Sequence, residues 1–134
     1  MKPIYQTRFA GPDAPVAEQG NCFAACLASI LECSLEEVDV LFDESGSEYW
    51  LDVFQKRLSD RGFPYKMLMM APTNWTVHHL RGVPYIAGGP SPRGDWLHSC
   101  VYLNGELLHD PVRDGGGLVN GEVRDIVVLV WMGT

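Results

Sequence analysis

The stretch Asn21-Cys22-Phe23-Ala24-Ala25-Cys26-Leu27-Ala28-Ser29-Ile30-Leu31 sets a polar residue and a cysteine in front of an almost unbroken apolar run. Asparagine is a favoured N-cap residue, and alanine and leucine are strong helix formers. The run therefore predicts a helix from about Asn21 to about Glu32, with Cys22, Ala25, Cys26, Ser29 and Ile30 along one face. Cys22 then falls in the first turn, where unpaired N–H groups and the helix dipole favour an anion. A thiol is a poor nucleophile until ionised. Its free pKa of about 8.5 drops to roughly 3.5–7.5 beside a helix N-terminus and an imidazolium. Position and residue type together point to a cysteine nucleophile.

Downstream, Ser34-Leu35-Glu36-Glu37 is a capping box that opens a short second helix through about Leu41. A third helix, roughly Glu48 to Arg61, places Leu51, Phe54 and Leu58 on one face and stops at Gly62. Beyond Gly62 the pattern changes to short β-like runs: Tyr65 to Met70, Pro84 to Ala87, Trp96 to Leu103, Glu106 to Asp110 and Ile126 to Trp131. Helices first and a mostly antiparallel sheet afterwards define an α+β domain, the nucleophile's helix packed on the sheet. Residues 1–20 hold Pro3, Gly11, Pro12, Pro15 and Gly20 without a sustained period, and read as an extended lead-in. The 134 residues fit a single domain, 1–134, with enough core to fold unaided.

Hydrophobic residues at 46% and charged ones at 20% are those of an ordinary soluble globular chain. A net charge of −7 leaves no basic footprint for nucleic acid and does not favour an anionic membrane surface. The apolar runs are too short to span a bilayer. Met1-Lys2-Pro3-Ile4-Tyr5-Gln6 has no apolar signal region, so the expected location is cytoplasmic, with Cys22, Cys26, Cys33 and Cys100 reduced.

Partners for the thiol lie in Leu97-His98-Ser99 and Leu108-His109-Asp110. In this reading Cys22 attacks a carbonyl, and His98 takes its proton and returns it to the leaving group. Asp110 or His109 holds the imidazole in its tautomer. The Cys22 N–H supplies one oxyanion donor, and Gln19 or Gln6 supplies a second. The Asn104-Gly105 turn decides between Asp110 and His109. A two-residue loop pairs Leu103 with Glu106 and puts His109 on the face of His98. A three-residue loop with a bulge at Gly105, or any other one-residue irregularity in the hairpin, brings Asp110 there instead.

The same residues admit blander accounts. Cys22, Cys26 and Cys33 also suit helix packing, and His98 suits a hydrogen-bonded strand position, as in a catalytically idle binding module. Cys22-x3-Cys26 with His98, Cys100 and His109 is a sparse match to structural zinc, and no metal or cofactor is expected. His78-His79 reads as a solvated loop doublet. Gly88 to Gly94 reads as a rigid turn beside His98, since it lacks phosphate-loop spacing. Met67-Leu68-Met69-Met70 reads as a buried strand, and the acidic residues of 32–48 as solvated helix faces.

NCFAACLASIL, HSCVY and HDP, in that order, resemble segments of the papain-like cysteine peptidases, and among them the bacteriocin-processing peptidases that cut after double-glycine leaders. The resemblance implies a papain-like fold, a bacterial or phage origin, a peptide or protein substrate and a triad of Cys22, His98 and Asp110, with Gln19, or else Gln6, as a displaced candidate for the oxyanion donor. The chain departs from the family at three places: Val16 stands where the family carries its glutamine, Asn21 replaces aspartate and Phe23 replaces glycine. EQGNC followed by Cys26 is similar to the papain segment itself, which makes Cys26 the alternative nucleophile. In the related cell-wall endopeptidases the third member is a histidine, at a position like that of His109. The resemblance implies a stand-alone peptidase or acyl-transfer hydrolase acting on a peptide or isopeptide bond.

Overall fold

The computed structural model describes residues 1–42 and 49–133. Helix α1 (Cys22–Leu31) buries Phe23 through Ser29 and ends where Glu32 turns left-handed at φ 55°. Being apolar nearly all round, it takes a central place, packed on the sheet on one side and on α2 (Leu35–Val38) on another. The expected capping box closes the start of α2, with Ser34 and Glu37 exchanging hydrogen bonds. α2 stops at Val38, short of Leu41. Helix α3 is Trp50–Asp60, and the expected start at Glu48 lies outside the described residues.

The sheet comprises β1 (Tyr65–Met70), β2 (Tyr85–Pro90), β3 (Leu97–Leu103), β4 (Glu106–His109) and β5 (Asp125–Trp131). Its order is β1-β5-β2-β3-β4, with every neighbouring pair antiparallel. Alternation along the strands feeds two apolar clusters. Met67, Ile86, Val101 and Val127 meet α1 and α3 through Leu27, Phe54 and Leu58. On the opposite face Tyr85, Ala87, Cys100, Tyr102, Ile126 and Val128 pack under Leu118, Val77 and Leu80. Full burial of one such aliphatic side chain contributes about 1.5–3 kcal/mol.

Four sequence expectations need correction. His78-His79, expected as a loop doublet, lie in a helix, α4 (Asn74–His79), which starts there because the Thr73 hydroxyl caps the N–H of Thr76 at 3.0 Å. His78 and His79 remain exposed on it. Gly88-Gly89-Pro90 is strand, not turn: Gly88 pairs with Ser99 and Gly89 with His98. The glycines are there because a Cβ at Gly88 would stand 2.5 Å from Asp125 Oδ1, and one at Gly89 would collide with the Glu122 carbonyl. Strand β1 is an edge, so only Met67 of the methionine run is buried, while Leu68 and Met69 are exposed. Finally, residues 1–20 are tied to the body: Lys2 N–H bonds the Ser29 carbonyl at 3.0 Å and Gln6 N–H the Pro111 carbonyl at 2.9 Å.

Among the described residues, no helix is long and apolar enough to cross a membrane.

Candidate active site

Cys22 is the first residue of α1, and the preceding chain is wired to start the helix there. Asn21 is the cap residue by position, but its side chain makes no cap bond. Its Oδ1 accepts from the backbone N–H groups of Thr7 and Arg8, each at 3.0 Å. Its Nδ2 donates to Thr7 Oγ1 at 2.9 Å and Asp39 Oδ2 at 3.2 Å. Arg8 forks onto the same Asp39 carboxylate at 2.6 and 2.9 Å, and its Nε donates to the Gln19 carbonyl at 2.9 Å. A bidentate guanidinium fixes geometry as well as charge. Asp39, expected as a solvated helix residue, therefore belongs to the clamp, and the first-turn N–H groups keep no side-chain cap.

His98 comes from the second residue of β3, and the hairpin determines what it meets. Asn104 and Gly105 both have positive φ, 53° and 82°, the signature of a two-residue type I′ turn, and Leu103 pairs with Glu106. A one-residue bulge between Val101 and Tyr102 then sets Val101 opposite His109. His109 consequently takes the other face, where its Nε2 meets the Ile4 carbonyl at 2.7 Å and its ring packs on Tyr5. Asp110 takes the face of His98, and its Oδ1 lies 2.8 Å from His98 Nε2, both side chains buried. The turn is the two-residue form, and the odd offset comes from the bulge.

The carboxylate is held by more than the imidazole. Asp110 Oδ1 also accepts from Val112 N–H at 2.9 Å and Oδ2 from Gly117 N–H at 2.9 Å. The loop through Gly115 closes on it so tightly that a Cβ there would overlap the carboxylate. Burial pushes the Asp110 pKa up, but the hydrogen bonds from His98, Val112 and Gly117 outweigh it and the net shift is down. For His98, burial lowers the pKa, yet hydrogen bonds with Asp110, Cys100 and Cys22 raise it to about 11. For Cys22, burial raises the pKa, and the hydrogen bond and charge of His98 with the bonds from Ser99 bring it below the ordinary thiol value. The opposed shifts favour passage of the thiol proton from Cys22 to His98, the two groups titrating as a pair. Arg93 Nη2 also reaches His98 Nδ1, at 3.3 Å, a contact open to the neutral imidazole and forfeited once Nδ1 carries a proton.

The other cysteines differ sharply. Cys26 is fully buried, and burial with the nearby Cys22 pushes its thiol well up. Cys100 is buried and raised as well, chiefly by burial. Among the described residues the group able to offer metal ligands is His98, Cys100 and Asp110, whose donor atoms lie within 4.8 Å of one another. It is not the Cys22-Cys26 pair, and its His98 and Asp110 atoms already share a hydrogen bond.

A cleft of about 520 Å³ opens over Cys22 and His98, walled by Phe9, Phe42, Trp50, Trp96 and Leu97. Both candidate glutamines border it. Gln19 Nε2 donates to the carbonyls of Pro12 at 3.1 Å and Ala14 at 2.9 Å, which engages both of its N–H bonds. Gln6 is buried, and its Nε2 donates to the Arg8 carbonyl alone, at 2.9 Å, leaving one N–H free. That carbonyl fixes which end of the amide is nitrogen, and Gln6 Oε1 is left without a partner. The nitrogen lies 3.8 Å from where a Gly20 Cβ would be, two residues before Cys22. The sequence favours Gln19, three residues before Cys22, with Gln6 as the alternative. The strap that brings Gln6 in is a long-range contact with no local pattern.

No family model matches the chain, and neither curated proteins nor solved structures yield a match.

Proposed function

We propose that the protein is a papain-like thiol hydrolase or acyl-transferase acting on a peptide or isopeptide bond. The observation that carries the reading is geometric: Cys22 at a helix start and His98, held by Asp110 at 2.8 Å, face one cleft, and the Cys22 pKa is lowered in spite of burial. A core cysteine does not require its thiolate to be favoured against burial.

In the mechanism, Cys22 Sγ attacks the substrate carbonyl carbon. The tetrahedral oxyanion takes hydrogen bonds from the Cys22 N–H and from the free N–H of Gln6, which replaces Gln19 in this role because Gln19 has no donor left. The His98 imidazolium gives its Nδ1 proton to the leaving amine, and the C–N bond breaks to leave a thioester. Water, or an acceptor amine, then loses a proton to His98 and attacks the thioester, and Cys22 departs as thiolate. Asp110 keeps Nε2 protonated and the ring in plane throughout.

The test is exposure to a broad thiol-directed electrophile at pH 7 followed by peptide mapping, with a mixed peptide library to read hydrolysis. An adduct on Cys22 and cleavage lost in Cys22→Ala are expected. Uniformly slow labelling of all four cysteines would replace the hydrolase with an idle binding module.

A further inference from the structure

A second cavity, of about 350 Å³, lies on the helix side of the sheet next to the cleft, and Trp50, Leu97 and His98 border both. Its walls are apolar: Phe23, Met69 and Ile86 complete them. One carboxylate opens into it, that of Asp125 at the start of β5. Asp125 pairs with Gly88, and Gly88 with Ser99, so all three lie in one cross-strand row on the face that carries Ser99. The middle residue has no side chain, and a Cβ there would stand 2.5 Å from Asp125 Oδ1. The carboxylate thus lies over the bare Gly88, in a row that ends beside His98.

The Asp125 carboxylate has no hydrogen-bond or ion-pair partner among the described residues, and the adjacent Arg124 turns its guanidinium to Glu122 at 3.3 Å. A half-buried carboxylate without a partner costs stability, and burial raises its pKa accordingly. Such a cost persists where a ligand supplies the missing charge. An apolar sleeve ending in one carboxylate matches an aliphatic chain ending in a cation, because the methylenes cover the walls while the charge reaches the acid.

We infer that the Asp125 cavity is a specificity subsite for a lysine or arginine side chain of the substrate, seated beside the Cys22–His98 pair. The inference rests on the hydrolase reading and deepens it by naming a substrate class. Asp125 sets which substrate is held and takes no part in bond breaking.

Peptidyl vinyl sulfones carrying lysine, arginine, norleucine or glutamate on either side of the reacting carbon test it, read as the second-order rate of Cys22 modification. In the wild type a cationic probe should react at least about tenfold faster than the norleucine probe, roughly the factor one charge-assisted hydrogen bond provides. The glutamate probe should be the slowest. In Asp125→Asn the ratio of cationic to norleucine rates should collapse to about one, and Asp125→Ser must give the same result. Neither variant should lower the urea midpoint at pH 7, since each removes an unpartnered charge. The lysine and arginine arms separate an ammonium from a guanidinium. Equal rates in the wild type, a preference that survives both substitutions, or Cys22 modified by iodoacetamide and by none of the sulfones would overturn the subsite while leaving the hydrolase standing. A Cys22 inert even to iodoacetamide would remove both.

Discussion

Asp110→Asn changes one atom and leaves the shape alone, which makes its consequences calculable. The carboxylate accepts three donors: His98 Nε2, Val112 N–H and Gly117 N–H. An amide offers one oxygen and one NH2 group. If the oxygen keeps His98 and Val112, the NH2 faces the Gly117 N–H. In the reverse orientation it faces Val112 and forces His98 into the other tautomer. Either way one buried N–H loses its acceptor, which costs about 1–3 kcal/mol. The lost charge adds a pH dependence of known sign. Asp110 has a depressed folded-state pKa, so its stabilisation is present above the ordinary value of 3.8 and lost as pH falls through the lowered one. His98 is raised, so its share is full below 6.5 and lost as pH rises through about 11. The gap between wild type and Asp110→Asn in urea unfolding should therefore be widest near neutral pH and shrink in acid. The Cys22 alkylation rate at pH 7 should fall with it, because His98 is then less often protonated. An Asp110→Asn protein with wild-type midpoint and Cys22 reactivity would refute the network.

Further outcomes follow from the same geometry. His98→Ala should leave the circular dichroism unchanged and lower Cys22 alkylation at pH 7 about tenfold, the thiolate fraction falling towards that of a free thiol; turnover of any cleaved peptide should fall by about 10²–10⁴. Gln6→Ala should cost about 10²–10³ in turnover and Gln19→Ala far less, a contrast that reverses if Gln19 is the oxyanion donor. Gly115→Ala should displace the Asp110 carboxylate and lower both the urea midpoint and Cys22 reactivity, whereas Gly116→Ala, whose Cβ would meet open space, should move neither. Leu27→Ala in the fully buried face of α1 should cost about 2–5 kcal/mol by urea unfolding.

The parts of the fold that depend on strong local periodicity were readable from the residues. The α1 run, the Ser34 capping box and the Tyr65 to Met70 strand needed nothing beyond neighbours. Helix α4 escaped because β-branched and histidine residues are weak helix formers, and its stability comes from the Thr73 cap and from packing of Val77 and Leu80. Gly88-Gly89 looked like a turn because glycine usually marks one, and the reason for it here is the close approach of Asp125 and Glu122 from a distant part of the chain. At the site, residue parity showed that Asp110 needs an odd offset, but Leu107 and Leu108 are both apolar and gave no sign of where the bulge falls. The Asn21–Arg8–Asp39 clamp and the Gln6 strap are contacts between distant segments, which no window of sequence displays.

The central claim is that His98 lowers the pKa of Cys22 below that of an ordinary thiol, and the pH dependence of its alkylation measures this directly. Iodoacetamide rates at each of the four cysteines, read by peptide mapping from pH 4 to 10, should show Cys22 reacting fastest at pH 7, with an inflection below the free-thiol value of about 8.5. In His98→Ala that inflection should move up to or above the free value, while Cys26 stays slow throughout. A Cys22 inflection at or above about 8.5 in the wild type, or one that His98→Ala leaves unmoved, would contradict the account.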